Sequence, residues 1–196
     1  DNPDESIGDL FFEHFYPDSF LGWPILGTRE IVSSVTRQSL EDYWKKNYRS
    51  GNLILSLSGK FDAEKVLEFV SAMKNTGLPE KKEIPTTRVF YGAAYREKEV
   101  EQAHLAMGIE AFSLFDEKKY ALGLLNNILG ANTCSRLYLN IREKLGLCYS
   151  ISSMASLDAK TGLLGIFTST QPENLEKMTD AVIGELKGLK DSPPTE

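Results

Sequence analysis

The sequence predicts an α+β fold, and three observations lead there. Helix and strand signals mix without regular β-α-β alternation. Two strand-like stretches, 147–155 and 161–169, are joined by the turn Asp158-Ala-Lys160, which suggests antiparallel pairing. The stretches 52–70 and 162–182 both run strand, short polar turn, helix, a weak internal repeat that hints at two lobes of similar build. The expected architecture is mixed or antiparallel sheets with helices packed on one face.

Asp4 to Tyr16 reads as a helix. Pro3 stands at its start, acidic residues suit its first turn, and Ile7, Leu10, Phe11 and Phe15 recur at helical spacing. The glycines and proline of Phe20-Leu-Gly-Trp-Pro-Ile-Leu-Gly27 make an apolar loop. A helix signal follows from Thr28 through Val35, and Ser39 is the expected N-cap of another, with Asp42 completing an approximate capping box. Asn52 to Ser58 alternates and is rich in Leu and Ile, so it reads as a strand. Asp62 caps a helix that runs to Met73.

Residues 75–88 hold two prolines, one glycine and five charged residues, the best linker in the chain. The domain reading is therefore 1–75, a linker at 76–90, and a second unit over 91–196. In that unit Glu101 to Ile109 alternates, with Ala103, Leu105, Met107 and Ile109 on one face and His104, Ala106 and Gly108 on the other. Asp116 to Leu129 is a helix apolar on most sides and so expected to be well buried. Ser135 to Lys144 is a helix stopped by Gly146, and Pro172 and Asn174 open a last helix to Lys187. The tail from Asp191 to Glu196 reads as unstructured or as cut from a longer chain, and the start at Asp1 without a Met suggests a missing upstream segment.

Composition narrows the function classes. At 196 residues the chain suits one domain or two small ones. Its net charge of −6 argues against a nucleic-acid binder, which needs a basic face. No apolar run approaches the roughly 18 residues of a membrane span, and no signal peptide opens the chain. Cys134 and Cys148 are too few for a disulfide scaffold or a zinc cluster, which fits a reducing, cytoplasmic compartment.

The residues offer little catalytic chemistry at first sight. His14 and His104 lie in segments of different type, and neither has a second His at metal-ligand spacing, so both are expected to be structural or surface residues. Each cysteine is best read as a buried small hydrophobe rather than a nucleophile. No phosphate-binding lysine loop, dinucleotide glycine motif or Gly-x-Ser-x-Gly is present. The densest stretch is Leu125 to Ser150, which runs helix, turn, helix, glycine stop, strand. Arg142 stands in the last helical turn and Tyr149 just past Gly146, so the reversal could bring guanidinium and phenol to one mouth, as donors to a peptide carbonyl or an oxyanion. On the residues alone the plainer account is preferred: Arg142 partners the helix dipole, and Tyr149 is a half-buried strand tyrosine.

Two regions carry a family resemblance. One is Asp1-Asn-Pro-Asp4 through Gly22-Trp-Pro-Ile-Leu-Gly-Thr-Arg-Glu30 and on to the 52–59 strand. The other is Glu101-Gln-Ala-His-Leu105 through Ser135-Arg-Leu137 and Ile141-Arg-Glu-Lys-Leu-Gly-Leu-Cys-Tyr-Ser150. With these the sequence resembles the pitrilysin–insulinase–mitochondrial processing peptidase family of zinc metallopeptidases. Two positions depart from its pattern: Ala131 replaces a glycine, and Cys134 stands where serine is usual.

The resemblance implies two homologous α+β lobes that clasp an extended peptide between them. It implies zinc held by His-x-x-Glu-His and a more distant glutamate, with the motif's Glu as general base. The family pattern places these before Asp1, and the chain contains no His-x-x-Glu-His. This chain is therefore expected to hold no zinc and cleave nothing by itself, zinc belonging to the parent protein. By resemblance, Arg142 and Tyr149 reach the substrate and stabilise the hydrolytic intermediate.

The chain then reads as the end of a first lobe plus the front of a second, part of a zinc metalloendopeptidase acting on peptides or unfolded polypeptides. The alternative is a non-catalytic subunit or lobe that partners a catalytic chain. Either reading allows a homo- or heterodimer and calls for no nucleic acid or membrane. A fragment of this kind would expose unpaired strand edges and apolar surface and is expected to self-associate or be marginally stable.

Overall fold

A computed structural model describes residues 3–73, 77 and 83–193. The chain divides into two compact units, one of Asp1–Ile25 with Ile84–Glu196 and one of Leu26–Glu83.

The first unit is built on a three-stranded antiparallel sheet of β1 (Ala103–Glu110), β2 (Ile151–Leu157) and β3 (Gly162–Thr170), in the order β1-β3-β2. Register pairs Gly108 with Gly165 and Ser153 with Ile166. Side-chain direction alternates along each strand, so the sheet presents two different faces. Leu105, Met107, Leu164 and Ile166 belong to the main core, which α5 (Lys119–Leu129) and α6 (Leu175–Asp191) complete with Leu122, Leu129, Met178, Val182 and Leu189.

On the opposite face lies α1 (Pro3–Phe15), whose Phe11 ring meets Phe167 edge-on at 5.3 Å. Phe11 can sit there because residue 108 is glycine: a Cβ at that position would lie 2.5 Å from Phe11 Cζ. Phe15, Tyr16 and Leu163 close this second cluster, and burial pushes the Tyr16 phenol up to about 12. Thus α5 and α6 share the expected helical face, and α1, which the sequence grouped with the first lobe, covers the other.

Three expectations in this unit need correction. α5 is not well buried: only Leu122 and Leu129 are, while Tyr120 and Leu124 are exposed, because the helix packs on the sheet along one stripe. The strand expected from Leu147 starts at Ile151, because residues 147–150 are spent on the reversal out of the preceding helix. Tyr149 is therefore neither a strand residue nor half-buried, but 80% exposed.

In the second unit, three helices start where side chains cap them. Thr28 caps α2 (Arg29–Ser34), Thr36 caps α3 (Arg37–Asn47), and Asp62 caps α4 (Ala63–Ala72) by accepting from the Glu64 and Lys65 amides. The capping box is Thr36 with Ser39, three residues earlier than the expected Ser39 with Asp42, so Ser39 lies inside the helix rather than at its cap. The strand expected over 52–58 does not form: among the described residues 53–58 have no regular structure and pair with no strand, and Ile54 is 93% exposed. The alternating pattern by itself makes no strand, since a ladder needs a partner.

Within the expected linker, residues 76 and 78–82 lie outside the described residues, as do 194–196 of the tail; residues 83–102 contain no helix or paired strand. No helix among the described residues is long and apolar enough to cross a membrane.

Candidate functional site

Arg142 is carried by a π-helix, Tyr138–Lys144, entered from Arg136 and Leu137. The wider turn follows from its exit. The Leu145 amide donates back to the Asn140 carbonyl at 3.1 Å and the Leu147 amide to the Ile141 carbonyl at 3.2 Å, and Gly146 reverses the chain at φ +60°. Leu137 and Ile141 pin the inner side, each fully buried. A second tie comes from α6: Glu185 accepts from Arg136 Nε at 2.9 Å and from Asn140 Nδ2 at 2.8 Å. One carboxylate therefore holds this helix on both sides of Tyr138.

The reversal carries the chain back along β3, which straps it down. Buried Thr170 donates to the Leu147 carbonyl at 2.6 Å, and Thr168 to the Ser150 carbonyl at 2.9 Å. These two bonds bracket Tyr149, so its backbone is fixed while its ring stands in solvent. Thr170→Val keeps the shape but leaves the Leu147 carbonyl without this partner. We expect a loss of about 1–3 kcal/mol of stability in urea denaturation. A loss below about 0.5 kcal/mol would show that the strap is dispensable.

The structure brings Arg142 and Tyr149 together. The Arg142 guanidinium carbon lies 5.2 Å from the centre of the Tyr149 ring and 4.4 Å from that of Tyr138. One terminal nitrogen is 3.6 Å from Glu143, an exposed carboxylate that is a weak partner. The result is a mouth with a guanidinium seated over two tyrosine rings, a solvent-facing phenol and several N–H and O–H donors. Such a set can bind a carbonyl oxygen and stabilise negative charge that develops on it.

The other candidates offer less chemistry. Cys148 packs against the main core, and burial pushes its thiol up, opposed by the Thr168 hydroxyl and the nearby Arg142, which makes it a poor thiolate. Cys134 is not the buried hydrophobe expected but exposed, because it lies in the turn before the site helix, its amide donating to Asn132 Oδ1 at 2.8 Å. His14 lies on α1 with its ring edge-on to Phe90 at 5.1 Å, and His104 lies on β1. Among the described residues no three His, Cys, Asp or Glu side chains gather as a metal site. Sequence reasoning missed Tyr138 and the Glu185, Thr168 and Thr170 ties. The four-residue spacing from Tyr138 to Arg142 was a visible signal. The ties, made across 18 to 49 positions of chain, had none.

Comparison with known proteins adds to this geometry. Residues 34–196 match the family model described as the peptidase M16 inactive domain. The chain is 35% identical over 97% of its length to the uncharacterized zinc protease YmxG of Bacillus subtilis, of which it covers 47%. It is 31% identical over 95% of its length to an uncharacterized zinc protease of Streptomyces coelicolor, of which it covers 43%. The chain thus spans less than half the length of these relatives. Among solved structures, a peptidase M16 inactive domain from Pseudomonas fluorescens shares its fold with a TM-score of 0.90 at 24% identity, over 99% of this chain and 48% of that one. A chain of complex III2 from Candida albicans matches with a TM-score of 0.76 at 17% identity, over 100% of this chain and 49% of that one.

Proposed function

Because this chain belongs to the peptidase M16 family, matched through its inactive domain, we propose that it supplies peptide binding and transition-state support to a zinc-dependent endopeptidase and leaves the metal to another part of the protein. The observation that carries this reading is the Arg142–Tyr149 mouth, with the guanidinium carbon 5.2 Å from the Tyr149 ring centre across the Gly146 reversal. In peptide hydrolysis the carbonyl oxygen gains negative charge as water adds. Donors placed for that oxygen bind the intermediate more tightly than the peptide, and so raise the rate. Arg142 gives a planar fork of N–H groups, and Tyr149 an O–H from the solvent side.

Zinc, implied by the relatives' names, does not fit the described residues, which gather no ligand set. No step is therefore derived through a metal held here. The substrate class is peptides or unfolded polypeptides, and the working unit is a homo- or heterodimer or one longer chain.

The test is zinc content and cleavage of quenched-fluorescence peptides by the complete product of this gene beside this chain. The expected result is one zinc per complete protein, cleavage abolished by a chelator, and neither property in this chain. The description of the matched domain as inactive favours one alternative, a non-catalytic partner of a separate catalytic chain. Absence of both zinc and cleavage from the complete protein would establish that alternative instead.

A further inference from the structure

We propose that Tyr138 is a positioning residue for Arg142, holding its guanidinium flat so that the donor edge faces the substrate; this rests on the function proposed above for Arg142. The two residues are four apart on one helix, and the guanidinium carbon sits 4.4 Å from the Tyr138 ring centre, closer than the 5.2 Å to Tyr149. Both distances are within cation–π range. A guanidinium stacked through its face spends none of its N–H groups on the contact, so all remain for a carbonyl oxygen.

The two rings do different work. Tyr149 is 80% exposed and its ring is held by little. Tyr138 is half-buried, and its helix is clamped on both sides of it by Glu185, through Arg136 and Asn140. Tyr138 is therefore the stiff wall and Tyr149 the movable one. Without the stiff wall the long Arg142 side chain regains its rotamers, and exposed Glu143, already 3.6 Å away, competes for it. Misplacement of a binding group by about 1 Å costs on the order of 100-fold in rate.

The test compares Tyr138→Leu, Tyr138→Phe, Arg142→Ala and the Tyr138→Leu/Arg142→Ala pair in the complete gene product, on one quenched-fluorescence peptide. Tyr138→Leu should lower kcat about 10- to 100-fold with little change in KM, the range set by such misplacement. Tyr138→Phe, which keeps the ring, should stay within about twofold, and the double variant should be no worse than Arg142→Ala, as for residues acting as one unit.

An independent readout, on the complete gene product, is the NMR shift of the Arg142 Nε–H. It should carry a ring-current displacement that Tyr138→Phe retains and Tyr138→Leu reduces to the share of the more distant Tyr149 ring. Wild-type turnover in Tyr138→Leu, where Arg142→Ala is impaired, would overturn the positioning role alone. Wild-type turnover in Arg142→Ala, or none in the wild type, would overturn the function on which it rests and the positioning role with it. An unshifted Nε–H in the wild type would overturn the stacking itself.

Discussion

Arg142→Ala in the complete gene product should lower kcat for peptide cleavage by about 10²–10³-fold, with zinc content unchanged. That range is the usual loss on removing one donor to an oxyanion, about 3–4 kcal/mol of transition-state stabilisation. A loss of this size is expected because the residues described beside Arg142 do not replace it. Tyr149 offers one O–H, and the surrounding Glu143 is an acceptor only. Arg142→Lys should recover little, since a single ammonium lacks the planar fork and stacks less well on Tyr138. Zinc measured on the same samples separates loss of a donor from loss of the metal. Unaltered turnover in Arg142→Ala would remove the mouth from the mechanism.

Ile141→Ala should destabilise this chain by about 2–5 kcal/mol, the second large effect. Ile141 is the neighbour of Arg142 but points the other way, fully buried in the main core with Leu137, Met178 and Val182. Truncation there removes apolar burial and leaves a cavity that the clamped helix cannot close, since Glu185 fixes it from outside. Arg142→Ala, by contrast, should change stability by at most about 2 kcal/mol, since it removes one weak ion pair and two cation–π contacts of about 0.5–1 kcal/mol each. Urea denaturation of both variants makes the comparison. A loss under about 1 kcal/mol for Ile141→Ala would mean that the site helix is not anchored by this core. Comparable losses for the two would mean that Arg142 is a stability residue rather than a binding one.

Much of the fold was legible because local signals dominate short elements. Asp62 caps its helix as its side chain requires, and Gly146 stops the site helix in the left-handed region where glycine is favoured. The alternation of 103–110 sorted Leu105 and Met107 from His104, Ala106 and Gly108, and those two sets meet different layers. The misreadings share a cause. Ser39 is a good cap residue in isolation, but Thr36 was an equally good one three positions earlier, and chain entry decided between them. α5 is apolar on several sides, yet how many of those sides find a neighbour is not a property of the helix.

The sequence by itself determined the class, most helix starts, the strand faces, and the placement of Arg142 and Tyr149 on either side of a glycine reversal. These depend on interactions within a few residues, where capping, chirality and side-chain period act regardless of what lies beyond. The tertiary structure alone decided that α1 closes the far face of the sheet and that residues 53–58 remain without a ladder among the described residues. It also decided that Tyr149 stands in solvent and that Glu185, Thr168 and Thr170 hold the mouth in shape. Those contacts join residues far apart along the chain. Their free energy depends on which surfaces meet after loop closure, and no local pattern records that meeting.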